Sequence, residues 1–301
     1  MKKLGLATAL LLAMTGAQAY QFEVQGQSEY LDTNQNGKNF TGAVQGTYYL
    51  KDVDSSKGPL AEAAFLNQAS NVAAAYNYVK YDEKDKDDVD FKSHNYGIKG
   101  EAYIPTPYVP AYASASYNHT LTEAKNGDDD NGDRYALEVG AVLTPNFLVA
   151  VGYTNVPNQF SVDTFGITKN GIAAATLESV GAIRNKTDAT TLRAKYVGPI
   201  ADTNMSFGFE TAGVFGDINM YGVNADLYLN PQLSVGGTVI ATDGNAKVQD
   251  TRLGRFDQAW GGNVNYFITP AVAVGVTYLH ANNKKADLDT DTVGLNAKFR
   301  F

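Results

Sequence analysis

The sequence contains no cysteine among its 301 residues. That absence excludes a disulfide framework, a cysteine-based metal site and a thiol nucleophile. Long hydrophobic runs are also missing: the apolar run at residues 4–14 is too short to cross a bilayer as a helix, and no longer run follows. Positive charge is in deficit, with 24 lysines and arginines against 32 acids. Nucleic acid is therefore a poor partner, and no nucleic-acid binding is expected.

The start of the chain has the pattern of a secretory signal. Lys2 and Lys3 precede the apolar residues 4–14, and Ala17 and Ala19 supply the small residues of a cleavage site. We therefore expect a signal peptide at residues 1–19 and a single domain at residues 20–301.

Residues 20–30 alternate between two kinds of side chain: the even positions are mostly apolar, and the odd positions carry only Gln and Glu. Successive side chains of a β-strand point to opposite faces, so this segment predicts a strand with one apolar and one polar face. Residues 293–301 repeat the pattern, with Val, Leu, Ala and Phe on one face.

Similar segments recur along the chain and predict an all-β fold, a transmembrane antiparallel β-barrel of about 14 strands. Short connections, often with Pro, alternate with long acidic ones, which indicates short periplasmic turns and long extracellular loops. Residues 61–70 fit either an extension of the third strand or a short helix. The predicted strands are residues 20–30, 40–51, 71–81, 91–104, 109–120, 135–143, 147–155, 188–197, 205–213, 220–229, 233–242, 257–268, 271–280 and 291–301.

A soluble β-sandwich shows the same alternation, so other features must separate the two folds. The polar face is rich in Gly, Ala, Ser, Asn and Gln rather than in Lys and Glu. Aromatic residues cluster at the strand ends, as in the two interfacial belts of a membrane barrel. We therefore predict location in the cell outer membrane. The upper belt has Tyr30, Tyr96, Tyr117, Tyr135, Tyr153 and Tyr278, and the lower belt has Phe22, Phe147, Phe207, Phe299 and Phe301.

Six segments spread over the chain resemble the Acinetobacter outer-membrane porins of the thirty-three to thirty-six kilodalton class. The resemblance implies a channel-forming outer-membrane barrel for water and small hydrophilic solutes. It is weakest near residues 172–184 and 243–255, so loop-dependent properties transfer least. The segments are residues 1–14 (MKKLGLATALLLAM), 20–26 (YQFEVQG), 58–69 (GPLAEAAFLNQA), 131–138 (NGDRYALE), 209–215 (FETAGVF) and 294–301 (GLNAKFRF).

The strand register directs a set of charged side chains into the lumen. One interpretation is that some of them form a selectivity constriction. The other is that most pair across strands and stiffen the wall, as we expect for Glu23 with Arg300. The candidate pore-lining residues are Glu23, Glu29, Lys51, Lys99, Glu101, Glu138, Arg193, Lys195, Glu210, Asp226, Lys298 and Arg300.

The longest predicted loop, residues 155–187, contains an apolar stretch with one rough helical face. Such a face needs cover, so the stretch either folds into the lumen or packs over the mouth of the barrel. We favour inward folding, because long loops in compact structures are usually functional. The candidate constriction residues are Ile172, Leu177, Glu178, Val180 and Arg184.

The three histidines, His94, His119 and His280, fall in outward phase near the outer strand ends. A barrel hydrolase needs a histidine beside a nucleophile or carboxylate in a cleft, and these positions supply none. We therefore do not expect an enzyme, and no cofactor or metal site is predicted.

These features predict a passive channel for water, ions and small hydrophilic solutes. The alternative is a largely plugged barrel that acts as a structural, adhesion or host-interaction surface. The expected partners are outer-membrane lipid and lipopolysaccharide, the permeating solutes and ions, and the barrel assembly machinery, which would engage the C-terminal strand.

Overall fold

The computed structural model describes residues 19–33, 39–82, 90–124, 129–156, 163–166, 188–216, 219–242, 258–283 and 288–301. The expected signal peptide, apart from Ala19, lies outside these ranges. So do the candidate constriction residues Ile172, Leu177, Glu178, Val180 and Arg184.

Over these ranges, fourteen strands form a single closed barrel in which every strand pairs antiparallel with its neighbours in the chain, and β1 pairs with β14. The predicted all-β barrel of about 14 strands is confirmed. The strands are β1 Ala19–Thr33, β2 Asn39–Asp54, β3 Asn71–Asp82, β4 Asp90–Ile104, β5 Ala111–Ala124, β6 Asp130–Thr144, β7 Phe147–Asn155, β8 Asp188–Pro199, β9 Ser206–Phe215, β10 Met220–Tyr228, β11 Leu233–Thr242, β12 Gln258–Thr269, β13 Val272–Asn283 and β14 Leu288–Arg300.

The seam between β1 and β14 closes the ring. Its register runs without a shift from Glu23 opposite Arg300 to Thr33 opposite Thr290. Phe301 extends the seam, because its N–H donates to the carbonyl of Phe22 at 3.0 Å. An open edge in hydrocarbon would leave backbone N–H and carbonyl groups without partners, and each such group costs several kcal/mol. The fold therefore requires this pairing.

The two faces of the wall have the predicted compositions. Val274, Val276 and Leu295 lie on the outer face and are exposed where lipid would surround them. Asn77 and Asn95 lie on the inner face and are fully buried, and the Asn95 amide donates to Asn77 at 2.5 Å. Alternation along each strand therefore separates lipid from interior.

Tyr20 departs from this alternation. Its even position predicts the outer face, together with Phe22, but the pairing of β1 with β2 shifts register between these two residues. An irregularity of this kind changes the face to which the next side chain points. Tyr20 is consequently only 3% exposed and packs inside the barrel against Tyr49 and Val53.

The connection between β2 and β3, which we call the inner segment (residues 55–70), is not a short periplasmic turn. The other described connections at this end have six residues or fewer. The inner segment holds a 3-10 turn at Leu60–Glu62 and one helix, α1, at Ala63–Leu66, so of the two interpretations of residues 61–70 the short helix is correct. Among the described residues, no helix has the length and apolar character needed to span a membrane.

The inner segment folds into the barrel because one of its faces is apolar. Leu60, Ala63 and Phe65 are buried against residues of the barrel wall. The end of the segment is held by Asn67, whose side-chain amide donates to the carbonyls of Asp54 and Ala63, both at 2.8 Å.

Substitutions on the two faces of the wall should differ in cost. Val274→Arg places a charge on the lipid face and should destabilise the folded barrel by about 2–4 kcal/mol, whereas Asn296→Arg on the adjacent strand points inward and should cost less. Urea unfolding in lipid vesicles, followed by the fluorescence of the single tryptophan, Trp260, measures both. An equal loss of stability would contradict the register.

Candidate channel interior

A cavity of about 460 Å³ lies inside the barrel. Side chains of β1 to β11 and of β14 line it, and the inner segment contributes Glu62 and Phe65. Charged residues of both signs are among the lining residues, so the cavity differs from the mostly apolar pockets that bind drug-like ligands.

Part of the long connection between β7 and β8 also lies inside the barrel. Residues 163–166 include one helical turn, and Phe165 packs against Ala73 and Ala75 on the inner wall. The backbone N–H of Thr164 donates to the side-chain oxygen of Asn118 at 3.1 Å. Inward folding of residues 172–184 stays a prediction, because they lie outside the described ranges.

Three groups of charged contacts cross the periplasmic and central parts of the interior. The first lies beneath the seam, where Glu23 accepts a hydrogen bond from Arg300 Nε at 2.7 Å and pairs with Lys298 at 3.1 Å. Arg300 also donates to the carbonyl of Leu60 at 2.8 Å. The seam is thereby joined to the inner segment.

The second group joins the inner segment to the opposite wall. Lys195 on β8 lies 2.7 Å from a carboxylate oxygen of Glu62, and the hydroxyl of Tyr228 on β10 donates to Glu62 at 2.8 Å. The ammonium group of Lys195 also lies 4.9 Å from the ring centre of Phe65. Glu210 on β9 is farther from Lys195, at 3.9 Å.

The third group is a chain of contacts along the wall. Arg193 forms a two-pronged ion pair with Glu138, at 2.9 and 2.6 Å, and donates to the hydroxyl of Tyr112 at 3.0 Å. That hydroxyl donates in turn to Glu101 at 2.7 Å, and Glu101 pairs with Lys99 at 3.0 Å. Paired carboxylates and guanidinium groups of this kind keep buried charges in place.

Most of the candidate pore-lining residues lie in or beside this cavity. Glu29 faces inward but is 2% exposed and accepts a hydrogen bond from Gln27 at 2.5 Å. Asp226 faces inward beside Gly236 without lining the cavity. The candidates that line the cavity are Glu23, Lys99, Glu101, Glu138, Arg193, Lys195, Glu210, Lys298 and Arg300.

Lys51 has to be corrected, because it is exposed and does not line the cavity. Lys51 lies in the part of β2 between Tyr48 and Val53, where the pairing with β1 is irregular.

Sequence reasoning missed several interior residues. Glu62 belongs to residues 61–70, for which the sequence fits two structures. Tyr112 and Tyr228 are uncharged, so a search for inward charges does not find them. Arg134 was missed too, although it lies in phase with Glu138 on β6. Arg134 and Glu138 are four residues apart, so strand alternation would have placed Arg134 on the inner face as well.

The histidines lie on the outer face. His119 contacts Asp133 at 2.8 Å and His280 contacts Asp291 at 3.0 Å, and each aspartate also accepts a tyrosine hydroxyl. His94 contacts the hydroxyl of Tyr76 at 2.8 Å. These contacts join the histidines to neighbouring Tyr and Asp side chains on the outer face, and none of them lies in a cleft.

A family model described as "Putative general bacterial porin" matches residues 1–301. The chain belongs to this porin family. A crystal structure of the outer-membrane protein Omp33 of Acinetobacter baumannii is 52% identical, with a TM-score of 0.68, and the match covers 95% of this chain and 100% of that one. The porin is therefore an outer-membrane protein of a channel-forming family.

More distant solved structures share the fold alone. A mutant of the monoaromatic hydrocarbon channel TodX has a TM-score of 0.55 at 9% identity, covering 95% of this chain and 91% of that one. The toluene transporter TbuX of Ralstonia pickettii has a TM-score of 0.53 at 11% identity, covering 95% and 90%. A search of curated proteins found no match.

Removing the charge of Glu62 should loosen the inner segment. Glu62→Gln keeps the size of the side chain but removes the carboxylate that pairs with Lys195, so the folded barrel should lose about 1–3 kcal/mol. Loss of heat-modifiable gel migration as the temperature rises measures the change. Glu123→Gln, at an exposed position of β5, is the matched control. Equal melting of the two variants would show that Glu62 does not hold the segment.

Proposed function

We propose that this porin is a narrow passive channel for water, ions and small hydrophilic solutes across the outer membrane. The observation that carries the proposal is the charged cavity inside a closed barrel, where Glu101, Glu138, Arg193 and Lys195 all face the same space. A hydrophilic interior of this kind gives water and polar solutes favourable contacts that the hydrocarbon around the barrel does not.

The inner segment sets the expected size limit of the channel. It is tied to the wall at three places: the N–H of Leu60 donates to the carbonyl of Pro231 at 2.8 Å, Arg300 donates to the carbonyl of Leu60, and Glu62 pairs with Lys195. A segment held in this way leaves passage only to small solutes. Large solutes would require it to move.

The same contacts support a second candidate function, a largely plugged barrel that serves as a structural or host-interaction surface. In that case the inner segment closes the periplasmic end completely. The protein would then act through the extracellular rim and loops of the barrel rather than through its interior.

Single-channel recording in a planar bilayer separates the two functions. We expect small conductance steps from the unmodified protein, and larger steps when residues 58–68 are replaced by a short Gly/Ser link, because the wall strands stay paired without the segment. The matched control replaces residues 105–108, an exposed turn at the same end of the barrel.

Each outcome has a distinct meaning. Conductance that appears only after the replacement would favour the plugged barrel. No conductance from either folded protein would contradict a channel. Larger steps in the control as well would show that the effect comes from damage to the periplasmic end rather than from the inner segment.

The remaining partner expectations are proposals as well. The apolar outer face and its aromatic belts would contact lipid and, at the extracellular rim, lipopolysaccharide. The C-terminal strand, which must pair with β1 to close the ring, would be the part engaged by the barrel assembly machinery.

A further inference from the structure

Arg134 is an inward-facing arginine that the charged contacts described above do not use. It lies near the extracellular start of β6, lines the cavity and is 7% exposed. Within the part of the chain that the structure describes, its Nε and Nη1 atoms are buried without a hydrogen-bond partner. A buried guanidinium group without acceptors is unfavourable, so this position needs an explanation.

The neighbours of Arg134 also present unused hydrogen-bonding atoms. Asn118 lies directly opposite it on β5 and is fully buried. The side-chain oxygen of Asn118 accepts a hydrogen bond from the backbone N–H of Thr164. The Nδ2 donor of Asn118 has no acceptor among the described residues. The hydroxyl of Thr164, at 0% exposure, has no partner there either.

Two acidic side chains that line the same cavity, Glu138 and Asp163, have other partners. Glu138, on the same face of β6, forms the two-pronged pair with Arg193. Asp163 lines the cavity and its Oδ1 accepts the backbone N–H of Phe165 at 3.0 Å. The cluster of Arg134, Asn118 and Thr164 therefore has three unpartnered nitrogen donors and one unpartnered hydroxyl, which can donate or accept.

We infer that this cluster binds the oxyanion of a small permeating solute, a carboxylate, in the extracellular half of the channel. The inference rests on the proposed channel function and names the class of solute. A guanidinium group carries a fixed positive charge and only donates, so a carboxylate oxygen can accept from its Nε or from its Nη1. A carboxylate only accepts, so it adds no further donor to a cluster whose unpartnered nitrogen atoms are all donors.

Water fits this cluster less well than a carboxylate. A bound water molecule brings two protons that need acceptors, whereas the atoms without partners on Arg134 and Asn118 are donors. The hydroxyl of Thr164 is the one unpartnered atom of the cluster that can accept. The cluster itself therefore offers one acceptor for the two protons of a water molecule.

The first test measures binding without transport. The melting temperature of the purified barrel in detergent, read from heat-modifiable gel migration, is compared in lactate, in its neutral analogue lactamide and in inorganic phosphate at equal ionic strength. We expect lactate to raise the melting temperature and lactamide to leave it unchanged. A shift with phosphate alone would overturn the assignment of a carboxylate.

Two variants and one control define the site. Arg134→Gln should weaken the apparent affinity for lactate about tenfold. Asn118→Asp keeps the acceptor for Thr164 but places a carboxylate beside Arg134, so it should abolish the response to lactate and raise the melting temperature without it. Lys51→Gln removes one positive charge at a position that does not line the cavity, so this variant should respond to lactate like the unmodified protein.

The second test measures passage through proteoliposomes that contain these proteins. Arg134→Gln should lower the rate of lactate entry relative to lactamide, and Lys51→Gln should not. If neither solute enters, the proposed channel fails, but the melting experiment still decides the binding site. An Asn118→Asp protein that binds lactate like the unmodified barrel would overturn the inference, even if Arg134→Gln does not fold.

Discussion

Continuous backbone hydrogen bonding around the whole ring is the constraint on which the rest of this structure depends. Hydrocarbon offers no water to a free N–H or carbonyl group, so the first and last strands must pair. Their register from Glu23–Arg300 to Thr33–Thr290 has no shift. Once the ring is closed, alternation along each strand separates a lipid face from an interior face, and nine of the charged residues predicted to face inward line one confined cavity.

That confinement explains why the interior is organised in pairs. A charge removed from bulk water needs a partner close by, and the wall supplies one from another strand. Arg193 and Glu138 come from β8 and β6, and Glu23 and Arg300 meet across the seam. Glu62 reaches Lys195 only because the inner segment enters the barrel. The periplasmic half is therefore a braced wall with a segment fixed inside it.

The extracellular half of the interior follows a different arrangement. Arg134 faces the cavity without the carboxylate partner that Arg193 and Arg300 have among the described residues. Barrels such as TodX and TbuX share the fold at 9% and 11% identity. The chemistry inside each barrel therefore depends on its own inward residues, and the shared wall does not determine it.

The sequence by itself determined the number of strands, their faces and the inward direction of most charged residues. It could do so because a strand between lipid and lumen has apolar residues facing lipid, such as Val274, and polar residues facing the lumen, such as Glu138, at alternate positions. The tertiary structure alone decided the inward turn of Tyr20, the exposure of Lys51 and the entry of residues 55–70 into the barrel. These features depend on a register shift and on contacts between distant strands, which exist only once the closed ring brings those strands together.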